Sequence, residues 1–310
     1  MLRKFIIYLS ENAFVRKIMM QFEPARRISR RFVAGETLDE AVAVVKELNA
    51  NGIKGMINEV GESVTTKEEA IEASKISIAI LHRIKAEGLD STLSVKPSHM
   101  GMKFGVDFCF ETIAEIVKVA RGYNVTLEID IEGSPDVPAT LELYHRLLDT
   151  FGSGSIHQAL QDYLHRNLSD STAIFERGGG IRLVKGAYDE SPAIAWQDKE
   201  KIRQEAIEVM KVFLRPEIIA KGAYLALGSH DPYLIDWLVA ETDKLGIPRD
   251  QYEVQMLLGI RRDEQQNLAN QGIRSRVYVP YGTAWYPYFM RRMAERPANL
   301  WFIVSGFFRR

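Results

Sequence analysis

Eight short runs rich in β-branched and aliphatic residues recur along the chain, with helix-like segments between them. They are "IKGMIN" (53–58), "TLSVK" (92–96), "VTLEID" (125–130), "SIHQAL" (155–160), "IRLVK" (181–185), "AYLALG" (223–228), "YEVQML" (252–257) and "RVYVP" (276–280). In one intervening segment, residues 67–86, Ala70, Ile71, Ser74, Ile78 and Leu81 recur at spacings near three and four, as one face of a helix requires. Strands that alternate with helices run parallel, because each helix carries the chain back to the end where the previous strand began. Eight such units fit a closed (β/α)8 barrel better than an open doubly wound sheet. The segment "TLDEAVAVVKELNANG", helical and ended by Gly52, precedes the first strand and predicts extra N-terminal helices.

No tandem repeat, low-complexity tract or Pro/Ser-rich linker divides the 310 residues. The expectation is one α/β domain over 1–310, with N-terminal helices in 1–50 and the barrel in 51–300. Forty Lys and Arg nearly balance 41 Asp and Glu, for a formal net charge of -1, so the bulk basic footprint of a nucleic-acid binder is missing. Cys109 is the only cysteine, which excludes an intramolecular disulfide and a thiolate metal cage and favours a reduced, cytoplasmic setting. The six histidines have no clustered-ligand spacing, so no metal site is expected. Near the start, the longest apolar run, Phe5 to Leu9, is too short for a signal-peptide core or a membrane span. Arg3, Lys4, Arg16 and Lys17 around apolar residues read as an amphipathic helix in preference to a targeting peptide. The ending "LWFIVSGFFRR" suits packing under the domain or contact with a membrane surface.

In a (β/α)8 barrel the chemistry sits at the carboxyl ends of the strands. Those ends offer Glu62, Lys96, Asp130, Gln158, Arg182, Lys185, Ser229, His230, Gln255 and Tyr278. Three cations against few carboxylates suggest an anionic ligand, either a phosphate-bearing cofactor or a carboxylate substrate. Taken singly, each residue also has a structural explanation: Asp130 could cap the next helix, Gln158 could satisfy a buried backbone group, and His230 lies beside a helix start at Asp231 and Pro232. "GGG" (178–180) precedes a strand and reads as a turn. "VKGAY" follows one, where Lys185, Gly186 and Ala187 could approach a phosphate.

The stretch "YVPYGTAWYPYFMRRMAERP" (278–297) adds a helix over 285–296, with Pro287 in its first turn. Tyr288, Arg291, Arg292 and Glu295 fall within an arc of about 100° on that helix. A solvated charged face is the ordinary reading of such residues. The tyrosines weigh against it, because Tyr278 and Tyr288 can wall an apolar pocket while adjacent arginines grip a carboxylate. An amino acid suits such a pocket. A barrel aldolase using Lys96 or Lys185 as a Schiff base accounts for the cations but not the tyrosines, and a non-catalytic amino-acid-binding barrel is a further alternative.

The motifs "SVK" (94–96), "EID" (128–130), "HQAL" (157–160), "IRLVKGAY" (181–188), "GSHDP" (228–232), "YEVQMLLG" (252–259) and the 278–297 stretch occur in the order seen in bacterial monofunctional proline dehydrogenases, and the chain resembles that family over nearly its whole length. The resemblance implies a distorted (β/α)8 barrel whose final helix lies over the strand carboxyl ends. It implies that Lys96, Arg291 and Arg292 bind the carboxylate of L-proline, that Tyr188, Leu257, Tyr278 and Tyr288 enclose its ring, and that Glu295 holds its amine. Asp130 and Arg182 match catalytic positions. Ile131, Gln158, Arg182, Lys185, Gly186, Ala187, Ser229 and His230 match positions that contact FAD, and Glu62 matches a gate residue paired with Arg292.

The implied reaction moves hydride from C5 of proline to N5 of FAD and yields Δ1-pyrroline-5-carboxylate, the first step of proline catabolism to glutamate. Electrons would pass to a quinone, with peripheral contact at the inner membrane face. A separate pyrroline-5-carboxylate dehydrogenase would carry out the next oxidation, because 310 residues leave no room for that domain. Ser229 stands where a threonine is common, and "PSHMG" after Lys96 departs from the family's usual loop. Tyr288 favours proline over hydroxyproline.

Overall fold

The computed structural model describes residues 29–61 and 64–295, with the side chains of 291–295 outside that description. Eight parallel strands close into a barrel in chain order: β1 (Lys54–Glu59), β2 (Ser91–Val95), β3 (Leu127–Ile129), β4 (Ile156–Gln161), β5 (Gly180–Val184), β6 (Tyr224–Gly228), β7 (Tyr252–Leu257) and β8 (Ser275–Tyr281). Helix α1 (Leu38–Ala50) precedes β1, and α2 (Lys67–Ala86), α3 (Val106–Gly122), α4 (Val137–Phe151), α5 (Asn167–Phe175), α6 (Lys199–Phe213), α7 (Pro232–Leu245) and α8 (Arg262–Asn270) follow β1 to β7 in turn. The last helix, α9, is Trp285–Glu295.

Local sequence sets the helix starts. Thr37 with Glu40 and Thr66 with Glu69 form capping boxes at α1 and α2, each satisfying orphan N–H groups at a helix start. The buried stripe of α2 is Ala70, Ser74, Ser77, Ile80, Leu81 and Ile84. Ile71 is instead 45% exposed, contrary to the periodicity reading. Ser77 takes the core position because its hydroxyl donates to the Ala73 carbonyl at 3.0 Å. Strand β3 is shorter than the 125–130 run, which the chain enters from a left-handed turn at Asn124, φ 55°.

The barrel departs from regularity where it closes. Helix α1 packs on both β1 and β8, the place that the helix after β8 takes in a regular barrel. The chain leaving β8 therefore turns elsewhere, through Gly282 at φ 130°, whose N–H donates to Gly35. A Cβ on Gly282 would lie 2.9 Å from the Val60 carbonyl oxygen, so the turn is built around that glycine. Helix α9 then buries Trp285, Tyr286, Tyr288, Phe289 and Met290, with Phe289 packed on Phe32 at 6.1 Å between ring centroids. Tyr288 lies near enough to Tyr278 to oppose ionisation of its phenol, which sets α9 beside the carboxyl end of β8.

Candidate active site

Residues paired across parallel strands point to the same side of the sheet, and side chains alternate sides along each strand. Asn58 pairs with Ser94, Ser94 with Glu128, Ala159 with Arg182, and Leu257 with Tyr278. These residues face the barrel axis, together with Asp130, Gln161 and Gln255, which share their phase. Gln158 pairs with Ile181 and falls on the opposite face, toward the helices.

At the carboxyl end the axis holds one tight ion cluster. Asp130 accepts from Ser94 Oγ at 2.6 Å, Lys96 Nζ at 2.8 Å and the Tyr278 hydroxyl at 3.2 Å, and is ion-paired with Arg182. Burial alone would raise the Asp130 pKa, but Lys96 and Arg182 outweigh it and hold the carboxyl well below its ordinary range. For Arg182, burial disfavours the charge, and Asp130 and Glu128 reverse that and hold the guanidinium charged. Burial is the main cause that pushes the Tyr278 phenol well up, with Asp130 adding to it. Asp130 caps no helix, so the plainer reading of that residue is overturned. Lys96 Nζ donates to Asn58 and to Tyr278 as well, both at 3.3 Å, so its three N–H groups are all engaged.

Deeper in the barrel lies a second cluster, of which the strand-end reading named only Gln255. Glu253 Oε1 accepts from Arg276 Nε at 2.7 Å and from Gln255 Nε2 at 2.6 Å, and the same Gln255 amide reaches Glu128 Oε1 at 3.1 Å. His157 approaches Glu128 at 3.4 Å and stacks on Tyr224 at 4.7 Å. The third glycine of "GGG" is a strand residue that makes room for this imidazole, since a Cβ on Gly180 would lie 2.1 Å from His157. The first, Gly178 at φ 70°, makes the turn expected from the sequence.

The structure brings Lys96, Asp130, Arg182 and Tyr278 together, with Leu257 on the same inward face and Tyr288 on α9 near Tyr278. Gln158 is a correction. It is fully buried and donates to the Ala159 carbonyl at 2.9 Å, and although its Oε1 also lacks a partner, it faces away from the mouth. The amide at the inward end of β4 is Gln161, which donates to the Glu132 carbonyl at 2.9 Å and keeps a buried Oε1 with no protein partner. Tyr188 is 44% exposed on the loop after β5. Lys185 and Ala187 are exposed on the same loop, and Gly186, at φ 101°, packs so closely on Tyr163 that a Cβ would lie 2.1 Å from its ring. After β6, Ser229 Oγ accepts from the Asp231 N–H at 3.1 Å, and His230 Nε2 accepts from the Leu257 N–H at 3.0 Å. Asp231 caps α7 with Pro232 in its first turn, as expected. Ile131 is half-buried just past Asp130. Glu62 and the side chains of Arg291, Arg292 and Glu295 lie outside the described residues, as do the two termini. Among the described residues there is no metal-ligand cluster, and no helix is long and apolar enough to cross a membrane.

A closed parallel barrel with a charged mouth defines the (β/α)8 class of enzymes, whose chemistry occupies this end. The proline dehydrogenase family model matches residues 41–304. The chain is 37% identical over 309 residues to proline dehydrogenase 1 of Bacillus subtilis strain 168, covering 99% of both chains. It is 34% identical over 307 residues to the proline dehydrogenase of Deinococcus radiodurans, covering 98% and 97%. Its fold is similar to proline utilization A (PutA) from Bdellovibrio bacteriovorus, solved after inactivation by N-propargylglycine. That match has TM-score 0.82 at 21% identity and covers 95% of this chain and 36% of that one. The chain belongs to the proline dehydrogenase family.

Proposed function

We propose that this protein oxidises L-proline to Δ1-pyrroline-5-carboxylate with FAD as cofactor. The observation that carries the reading is the cluster of Lys96, Asp130, Arg182 and Tyr278 at the mouth, on a chain with full-length relatives named proline dehydrogenase. The mouth suits a flavin. Gln161 Oε1 and Arg182 Nε are buried polar atoms that lack a protein partner, on strands whose inward faces adjoin. Gln161 takes the place assigned from sequence to Gln158, beside Ile131, Arg182, Lys185, Gly186, Ala187, Ser229 and His230. FAD, when bound, would supply the hydride acceptor, and a quinone would take the electrons onward.

The chain's own groups bind and orient the substrate. Lys96 would give the proline carboxylate one N–H by releasing a 3.3 Å bond to Asn58 or Tyr278. Arg291 and Arg292 complete the carboxylate site on the sequence pattern, with Glu62 closing it and Glu295 at the amine. Leu257, Tyr278 and Tyr288 would wall the ring, with Tyr188 at the rim. Asp130, held ionised by two cations, is too weak a base to take the amine proton. Its role is to fix Lys96 and Arg182, so the amine must lose its proton before C5 can release hydride. Arg182, fixed as a cation, would offset negative charge developing beside it.

The aldolase alternative needs a free amine at the mouth, yet Lys96 is engaged by Asp130 at 2.8 Å and Lys185 is exposed on the loop after β5. A reduced, cytoplasmic setting, contact with a membrane quinone and a separate dehydrogenase for the product complete the proposal. Anaerobic addition of L-proline to the purified holoprotein tests the reaction. The oxidised flavin spectrum should disappear; an unchanged spectrum in flavin-loaded protein would overturn the assignment.

A further inference from the structure

The loops at the mouth are tied to one another by a pair of matching contacts. Glu132, two residues beyond Asp130, accepts from the Ser98 N–H at 2.8 Å through one carboxylate oxygen and from the Ser98 hydroxyl at 2.7 Å through the other. Glu190, on the loop after β5, holds Ser134 in the same way, with the N–H at 2.7 Å and the hydroxyl at 2.6 Å. The Gln161 amide adds a third tie by donating to the Glu132 carbonyl at 2.9 Å. A continuous belt thus runs from the loop after β2, through the loop after β3 and the end of β4, to the loop after β5.

Each tie fixes a segment that carries a site residue. Ser98 lies in the turn whose first residue is Lys96, where the His99 N–H donates to the Lys96 carbonyl at 3.0 Å. Ser134 follows Asp130 and Ile131, and Glu190 follows Lys185, Gly186, Ala187 and Tyr188. A carboxylate that accepts from both donors of one serine restrains distance and orientation together, as a single hydrogen bond cannot. The Glu190 main chain is held in addition, its carbonyl accepting from Gln197 at 3.3 Å.

We propose that Glu132 and Glu190 are positioning residues, Glu132 setting the Lys96 turn for the substrate carboxylate and Glu190 setting the Lys185–Tyr188 loop for the flavin. The inference rests on the substrate and cofactor assigned above. Two binding measurements on the holoprotein separate the ties. One is the dissociation constant of the ring-oxygen analogue of proline, read from its perturbation of the flavin spectrum. The other is the rate of flavin loss on dilution.

Ser98→Ala should weaken the analogue roughly ten-fold, the scale of one hydrogen bond to a charged group, and leave flavin loss unchanged. Glu132→Gln should also weaken it. A purely electrostatic role predicts the opposite, because removing a negative charge near Lys96 favours an anionic ligand. Ser134→Ala and Glu190→Gln should speed flavin loss roughly ten-fold, with a clearly smaller change in the analogue's affinity transmitted through Tyr188 at the rim. Variants that lower only the melting temperature, or that move both constants equally, would overturn the proposal. Lys96→Met is the control on the underlying assignment. If it leaves the analogue's affinity intact, the substrate reading has failed; if it weakens binding while Ser98→Ala does not, only the positioning role has.

Discussion

Two ion clusters share the inside of this barrel and differ in the sign of what is left over. At the mouth, Lys96 and Arg182 are both ion-paired with Asp130, an excess of one positive charge among the groups in direct contact, while Glu132 lies farther out on Ser98. Toward the amino ends of the strands, Arg276 faces Glu253 and Glu128, an excess of one negative charge before His157 is counted. The deep cluster is closed, with its members under a tenth exposed, and it answers to nothing outside the protein. The mouth cluster is open at Lys96, which keeps two long bonds that an anion can replace. A buried charge network alone therefore does not mark a site. An unbalanced charge at the accessible end is what suits an anionic ligand.

Substitutions on the two levels should fail in different ways. The largest effect belongs to the deep cluster, where Arg276→Met strands the Glu253 carboxylate and should cost about 3–5 kcal/mol of stability. A denaturant titration measures that loss, and turnover per folded molecule should stay near the parent value. At the mouth, Arg182→Met should keep the fold and lower turnover with proline by about 10²–10³, the cost of one preorganised charge donor. Stopped-flow bleaching of the flavin checks it; undiminished turnover removes Arg182 from the chemistry.

Acid sharpens the contrast next. Burial opposes ionisation of both Asp130 and Glu128, but the cations around Asp130, and His157 with Arg182 and Arg276 around Glu128, hold both pKa values below their ordinary range. A carboxyl depressed in the folded state contributes stability that is present above its unfolded pKa of about 3.9–4.3 and is lost as pH falls through the lower folded value. Unfolding midpoints followed below about pH 4 should therefore fall more steeply in the parent than in Asp130→Asn, which starts less stable. The smallest effect separates two glutamines. Gln158→Ala should cost about 1–3 kcal/mol of stability with flavin retention unchanged, because it leaves backbone carbonyls unpaired. Gln161→Ala also gives up a hydrogen bond, to the Glu132 carbonyl, and should in addition loosen the flavin.

That last pair marks where the sequence stops being readable. The eight strands were legible because each is a compact run bounded by turn residues, and most strand ends fell within a residue or two of the expected place. Which face of β4 looks inward was not. Its six residues are all buried, as befits a parallel strand covered on both sides, so no polar alternation tells Gln158 from Gln161. Lys96, Asp130 and Arg182 could be singled out because charges toward the carboxyl ends of strands serve packing poorly, and Tyr278 because it adds a polar tip there. Glu128 and Arg276 carry the same charges one layer deeper, and only the strand phases reveal that both face the axis, where Gln255 and Glu253 link them. Tyr188 was grouped with the ring-enclosing residues by motif, yet it stands on a loop whose path no local pattern specifies.

The most direct measurement is a crystal structure of the flavin-loaded protein with the ring-oxygen analogue of proline. The analogue's carboxylate should lie within hydrogen-bonding reach of Lys96, with its ring between the flavin and Tyr278 and the Arg276 cluster unchanged below. A carboxylate seated away from Lys96, or a flavin bound elsewhere than over Gln161 and Arg182, would contradict the account.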